Sequence, residues 1–182
     1  QYASTAALRR RTGALPAGIS LNASTGALTG TPTTAGEANV TLAATDSNSI
    51  AGTHAFSWVV NAAPAITTTT LAETTAGRPF PTAALAATGG TGTLVWSATG
   101  LPAGMNLTTG GSLSGTPTTA ATTPITFKVT DGNSVEATTE LSLRVNEVPA
   151  VTTASLSRPI RTTAYSRQLA ATGGTGTLAW RV

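Results

Sequence analysis

One long phrase occurs twice in this chain and constrains its fold more than any other feature. Residues 15–34 read LPAGISLNASTGALTGTPTT, and residues 101–119 read LPAGMNLTTGGSLSGTPTT. The register then continues through Asp46 and Asp131, which are 85 residues apart. A second phrase, LAATGGTGTL, occurs at residues 85–94 and again at residues 169–178. Because solenoid units run to about 50 residues at most, a period of about 85 predicts tandem copies of a small independent domain.

The repeat divides the chain into one complete copy and two partial ones. We expect an N-terminally truncated repeat over residues 1–62, a complete repeat over residues 63–147 and a C-terminally truncated repeat over residues 148–182, called the first, middle and third repeats below. Pro64 and Pro149 stand at matching places in the short junctions and fix φ there. Such short linkers favour a semi-rigid, end-to-end arrangement.

The hydrophobic pattern predicts β-strands throughout. Residues 40–46 and 125–131 alternate apolar and polar side chains, which is typical of half-buried strands. We expect two further matching sets to face inward from a last long strand: Phe56, Trp58 and Val60 in the first repeat, and Leu141, Leu143 and Val145 in the middle one. About seven short strands per period, with turn signals about every ten residues, predict an all-β fold of tandem immunoglobulin-like β-sandwiches.

Composition excludes several classes of function. The net charge of +3 comes from few groups, and the one basic cluster, at residues 9–11, has no aromatic residues interleaved with it, so nucleic-acid binding is not expected. The chain has no cysteine, which removes disulfides and thiolate chemistry. No run of 18 apolar residues is present, and we therefore expect no membrane span in this segment.

The first eleven residues match the repeat poorly. Counting back from Thr12, which aligns with Thr99, places Arg9 where Trp96 stands in the complete copy. Burying an arginine in place of a core tryptophan would cost several kcal/mol, so we expect this segment to be frayed or to pair in a shifted register.

Asp46 and Asp131 are the candidate metal ligands. Both end strands at equivalent positions and could contribute to a calcium site near a junction. A tight calcium site takes about six to eight oxygens, however, and the nearest further carboxylates are Glu136 and Glu140, in one copy alone. Capping of a turn is the simpler interpretation of both aspartates, and no other cofactor is expected.

Three other features have a structural and a functional interpretation. The Gly-Gly-Thr-Gly sequence at residues 89–92 precedes a strand and lacks the Gly-Lys-Ser/Thr ending of a phosphate-binding loop, so we interpret it as a hairpin turn. His54 is the only histidine, and we expect it on the outward side of its strand, exposed to solvent. Trp96 and Trp180 alternate with leucines, which predicts core packing for both rather than ligand stacking.

Four motifs carry a resemblance to a known family: LPAGxxL, GxLxGTPTT, TDxNS and ATGGTGTLxW, in matching order and spacing over residues 12–182. In these the chain resembles the bacterial immunoglobulin-like repeats of the He_PIG type, which occur in large surface and secreted proteins and are similar to dystroglycan-type cadherin-like domains. The resemblance implies a β-sandwich used as a stalk or adhesive module, located outside the cell or on its surface.

These observations predict a non-catalytic structural and adhesive repeat, acting as a spacer whose partners are the neighbouring repeats of the same chain. Two alternatives remain open: a carbohydrate- or protein-binding module that takes a surface glycan or a protein ligand, and an accessory repeat of a secreted hydrolase. A binding module should present at least one tryptophan or tyrosine on an open face or loop, whereas a spacer should not. Because the third repeat supplies the opening strands that the first one lacks, head-to-tail self-association between copies is a further possibility.

Overall fold

The structure, a computed structural model, describes the backbone of residues 7–182 and the side chains from Thr12 onward. Every regular element in this part of the chain is a β-strand, which confirms the all-β fold class. Among these residues there is no helix with the length and apolar character needed to cross a membrane. The chain divides into two compact units, Gln1–Ala63 and Pro64–Val182, called the first and second units below.

The first unit is built around a long antiparallel hairpin. Its strands are β1 (Ala7–Thr12), β2 (Ile19–Leu21), β3 (Leu28–Gly30), β4 (Gly36–Thr45) and β5 (Ala51–Val60). A three-stranded sheet has the order β1-β4-β5, and β2 pairs with β3 in a sheet of two strands. The β4–β5 ladder runs without interruption from Gly36 opposite Val60 to Thr45 opposite Ala51, because the turn between the two strands is short.

The pairing of β1 confirms the expectation of a shifted register. The ladder between β1 and β4 has one irregularity near the C-terminal end of β1. As a result Leu8 lies opposite Ala44. Ala44 matches Val129 of the middle repeat, and Val129 lies opposite Trp96, so Leu8 takes the tryptophan's place in the ladder. Arg9 is therefore displaced by one pairing position from the tryptophan's place. Residues 1–6, the rest of the poorly matching segment, lie outside the described part of the chain.

The second unit contains the middle repeat and the third repeat. Its four-stranded sheet has the order β10-β13-β14-β7, its three-stranded sheet the order β11-β12-β8, and the pairs β6-β9 and β15-β16 form two smaller sheets. The strands are β6 (Ala65–Ile66), β7 (Thr74–Thr75), β8 (Ala83–Ala84), β9 (Ala87–Thr88), β10 (Val95–Thr99), β11 (Met105–Leu107), β12 (Ser112–Gly115), β13 (Ala121–Thr130), β14 (Glu136–Asn146), β15 (Ala150–Val151) and β16 (Ala171–Thr172).

The leading strand of the middle repeat is short. β6 ends at Ile66, directly before the four threonines at residues 67–70. The hydroxyl of Thr68 accepts the amide hydrogen of Ala86 at 2.8 Å, so a side chain takes the donor that a continuing ladder would use. This competition between hydroxyl and backbone ends the strand.

The core of the middle repeat lies between its four-stranded and three-stranded sheets, as an immunoglobulin-like sandwich requires. Leu113 enters it from β12, while the larger sheet supplies most of the remainder. The side chains of Phe127 and Leu143 are fully buried, and Trp96 is only 6% exposed. These three placements confirm the predicted inward faces of β10, β13 and β14. The buried cluster consists of Phe80, Leu85, Trp96, Leu113, Ile125, Phe127, Val129, Leu143 and Val145.

The prediction for Trp180 is wrong. Its counterpart Trp96 is buried, but Trp180 is 49% exposed. In the third repeat the described regular pairing is limited to β15 with β16, and no strand corresponding to β13 covers the indole. A tryptophan becomes buried only when a facing sheet is present, so the local alternation of apolar residues was not sufficient.

Two expectations about β5 also need correction. Phe56 faces the same side as Val40, its partner in the ladder, but is 46% exposed instead of buried. His54 was expected on the opposite side of the strand from Phe56. The two rings in fact lie on one side, with centroids 4.7 Å apart in an edge-to-face arrangement. Residues two apart on a strand share a face, so the pattern itself should have placed them together.

Candidate functional site

Asp131 caps the turn that joins β13 to β14. Its Oδ1 accepts the backbone N–H groups of Asn133 at 2.9 Å and Val135 at 2.8 Å. Ser134, inside this turn, has a positive φ of 64°, which the two hydrogen bonds help to hold. The aspartate is 8% exposed, so its carboxylate lies close to the protein surface but is largely covered.

The same carboxylate also fastens a second loop. Its Oδ2 accepts the amide hydrogen of Thr91 at 2.9 Å, and the amide of Gly132 donates to the carbonyl of Thr91 at 2.7 Å. The hydrogen bond from Val135, together with those from Thr91 and Asn133, lowers the pKa of Asp131, against an opposing effect of burial. The loop at residues 89–92 is thus tied to the β13–β14 turn through one ionised side chain.

Asp46 makes the matching turn contacts in the first unit. Its Oδ1 accepts the amide hydrogens of Asn48 at 2.9 Å and Ile50 at 2.8 Å. Among the described residues, no group of three or more histidine, cysteine, aspartate or glutamate side chains is gathered in a way that could hold a metal ion. Both aspartates therefore act as turn caps, and the calcium interpretation of Asp46 and Asp131 stays a prediction.

The Gly-Gly-Thr-Gly loop at residues 89–92 leads into β10, as expected for a turn. The amide of Thr91, which a phosphate-binding loop would offer to its ligand, donates to Asp131 instead. A negatively charged carboxylate at that place repels an anion. The arrangement supports a role in holding loops together.

A polar cluster that the sequence analysis missed lies at the end of the middle repeat. Arg144 Nε donates to Asn146 Oδ1 at 3.0 Å, and the amide nitrogen of Asn146 donates to Glu73 Oε2 at 3.1 Å. Arg144 also pairs with Glu73, with 3.7 Å between Nη1 and Oε1. Thr175, from the second Gly-Gly-Thr-Gly loop, joins through its hydroxyl, which lies 2.8 Å from that of Thr75 and accepts from Asn146 at 3.1 Å.

Two apolar surfaces lie in the partial repeats. In the first unit a groove is lined by Leu28, Val40, Leu42, Phe56 and Trp58. In the third repeat a shallow depression is lined by residues on β15 and β16 and by Leu178 and Trp180. One period later, the residues that correspond to this groove lining form part of the core of the middle repeat or pack against it. They are Leu113, Ile125, Phe127, Leu141 and Leu143.

Comparison with known proteins identifies the family. Residues 1–61 and 62–146 each match the model described as "Putative Ig domain", He_PIG. The chain belongs to this Ig-domain family. The matched residues include the sandwich core and the Asp131 turn, so the family resemblance and the geometry agree on an immunoglobulin-like fold.

The relatives of this Ig-domain chain include a surface protein. Over 135 residues, or 72% of the chain, it is 32% identical to the "Serine-rich adhesin for platelets" of Staphylococcus aureus, and it spans 6% of that protein's length. Against the protein of the same name from strain MRSA252, the identity is again 32% and the share of that protein is 10%.

Solved structures of cadherins are also similar to this Ig-domain chain. Drosophila N-cadherin EC1-4 matches with a TM-score of 0.39 and 12% identity, over 83% of this chain and 44% of that one. Human CDH23 EC21-23 matches with a TM-score of 0.41 and 15% identity, over 95% of this chain and 70% of that one.

Proposed function

We propose that the chain is a non-catalytic spacer segment of a bacterial adhesive protein located at the cell surface or outside the cell. Membership of the Ig-domain family and the similarity to the staphylococcal adhesin support this assignment. The chain spans a small fraction of the adhesin, so ligand recognition by the parent protein belongs to other segments in this proposal. The partners of this segment are the neighbouring repeats.

The burial of aromatic residues in the middle repeat carries the proposal. Between Ala63 and Glu147, a range that the structure describes in full, the aromatic residues are Phe80, Trp96 and Phe127, and all three are buried. Protein and glycan recognition relies heavily on exposed tryptophan and tyrosine. A complete repeat with its aromatic side chains inside fits a spacer better than a recognition module, whereas Tyr165 and Trp180 of the third repeat, 45% and 49% exposed, meet the condition set above for a binding module.

The mechanical role rests on the ladder between β13 and β14. Ten residue pairs connect these strands, from Ala121 opposite Val145 to Thr130 opposite Glu136. Pulling such a hairpin apart requires many backbone hydrogen bonds to break cooperatively. Together with the proline-containing junctions, the ladder would let each repeat transmit force without lengthening.

The exposed aromatic residues favour a second proposal about partners. Phe56 and Trp180 lie in the first and third repeats, at positions matched by Leu141 and Trp96 in the middle one. Trp96 is covered by its own repeat, which suggests that Trp180 is covered by the strands of another Ig domain. A second copy of this chain, joined head to tail, could supply those strands by strand addition.

Binding and association measurements on the whole chain test these proposals. We expect no saturable binding of the immobilised chain to arrays of glycans and of host matrix proteins. Saturable binding that is lost in Trp180→Ala would contradict the spacer role and favour the recognition module.

Sedimentation over a range of micromolar concentrations tests the second proposal separately. Association weakened by Phe56→Ala or Trp180→Ala is the expected result, and a monomer at every concentration excludes head-to-tail pairing.

A further inference from the structure

The second Gly-Gly-Thr-Gly loop, residues 173–176, folds back onto the chain segment that precedes the third repeat. The amide of Gly174 donates to the carbonyl of Glu147 at 2.6 Å. The side chain of Thr175 continues past this segment to Thr75 on β7 and Asn146 on β14. The loop of the third repeat therefore contacts two strands of the middle repeat as well as the junction between them.

Glycine is required at two positions of this loop by the close approach. A Cβ on Gly173 would lie 2.5 Å from the carbonyl oxygen of Val148, and one on Gly174 would lie 2.9 Å from Cγ of Pro149. Both glycines also have positive φ values, 78° and 79°. A side chain at either position would push the loop away from the junction.

The receiving surface on the middle repeat is held in place by its own contacts. Asn146 is the central residue, since it accepts from Arg144 and donates to Glu73 as well as to Thr175. A side-chain amide held from both ends loses little further freedom when the hydroxyl of Thr175 binds. The surface is thus organised before the loop reaches it.

We propose that residues 173–175 act as a clamp that fixes a repeat onto the end of the preceding one, with Thr75, Asn146 and Glu147 as its docking surface. The clamp is formed by one backbone hydrogen bond, by the two contacts of the Thr175 hydroxyl and by the close packing of two glycines against the junction. The clamp goes beyond the spacer role, because it names the residues that set the angle between consecutive repeats.

Distance measurements between spin labels test the clamp in the full 182-residue chain. Because the sequence has no cysteine, Ser142→Cys on β14 and Thr172→Cys on β16 give two unique labelling positions. Pulsed electron resonance should show a narrow distance distribution in the parent chain. Thr175→Val keeps the shape of the side chain and removes its hydroxyl, and it should broaden the distribution. Thr177→Val, at an exposed position in the same segment, is the matched control and should leave it narrow.

Hydrogen exchange gives an independent readout. Losing the two hydrogen bonds of the Thr175 hydroxyl should speed exchange at the Gly174 amide roughly tenfold in Thr175→Val, with the β13–β14 amides unchanged. Thr75→Val, made from the opposite side of the contact, removes one of these two hydrogen bonds and should speed exchange at the same amide by a smaller factor. An unchanged distance distribution in Thr175→Val, or equal broadening in Thr177→Val, would overturn the clamp. Neither result bears on the spacer role, which the binding arrays test.

Discussion

Gly111 lies against the indole of Trp96, so that a single added Cβ atom would disturb the packing of the core. This residue ends the turn between β11 and β12 with a φ of 86°, and a Cβ there would lie 2.8 Å from Nε1 of the buried Trp96. Gly110, its neighbour in the same turn, has no atom nearer to such a Cβ than Thr108 Oγ1 at 3.9 Å. The two adjacent glycines therefore offer a matched pair of substitutions.

We expect Gly111→Ala to destabilise the middle repeat by about 1–3 kcal/mol, because it combines a strained φ with a clash against the indole ring. Gly110→Ala should change the free energy of unfolding by less than about 0.5 kcal/mol. Urea unfolding monitored by far-ultraviolet circular dichroism measures both. Equal effects of the two substitutions would show that Trp96 does not pack against this turn.

Asp131 predicts a dependence of stability on pH. Its folded pKa lies below the ordinary value of 3.8, chiefly because Val135 donates a hydrogen bond to it. The ionised carboxylate therefore stabilises the fold above the pKa of the unfolded chain, and this contribution is lost as the pH falls through the folded pKa. Glu136, whose pKa is lowered by the ammonium of Lys128 at 2.9 Å, acts in the same direction.

Asp131→Asn should lower the Tm of the second unit at neutral pH and should flatten the decline of the Tm as the pH falls below the ordinary carboxyl pKa of 3.8. Asp46→Asn removes the negative charge from the corresponding turn of the first unit, where Oδ1 of the aspartate accepts two backbone N–H groups, and should leave that transition unaffected. Calorimetric scans across this pH range provide the measurement. A decline of unchanged steepness in Asp131→Asn would show that other carboxyl groups control acid unfolding.

At the scale of elements, the two long hairpins share one register but differ in how much of their inward face is buried. Leu141 lies opposite Ile125, just as Phe56 lies opposite Val40. In the middle repeat the inward face of this hairpin meets a second sheet, whereas in the first unit Phe56 is half exposed. The same sequence pattern therefore gives two different amounts of stabilisation.

Truncating a side chain on each hairpin measures this difference. Leu143→Ala removes a fully buried side chain and should cost about 2–5 kcal/mol in the middle repeat. Phe56→Ala removes a larger side chain that is half exposed and should cost the first unit less than about 1.5 kcal/mol. Hydrogen exchange of the amides in β14 and β5 reports the two units separately. A greater loss for Phe56→Ala would show that its ring is covered in solution.

The strands and core of the middle repeat could be predicted from the sequence because they depend on local alternation. Phe127 and Leu143 are inward because every second residue of a strand shares a face. Trp180 could not be placed in this way, because its burial depends on strands that are distant in sequence. The Thr75–Thr175 contact joins residues 100 positions apart.

At the scale of the whole molecule, calcium and chelation give a direct test of what holds the chain together. The carboxylate oxygens of Asp131 are engaged by backbone N–H groups, and Glu73 by Arg144 and Asn146. We expect millimolar calcium, or excess chelator, to shift neither the Tm nor the distance distribution between the labels at residues 142 and 172. Binding at a hundredfold excess over Kd would add about 2.7 kcal/mol, so a site would be evident.

The contact between Thr75 and Thr175 also has a consequence for the solution conditions under which the middle and third repeats stay joined. Hydroxyl and amide groups do not gain or lose protons between an acidic wound and alkaline seawater, and dilute salt does little to hydrogen bonds between neutral partners. The direct contact between the two threonines should therefore persist across changes of pH and salt, while the neighbouring Arg144–Glu73 pair, which is charged, responds to both.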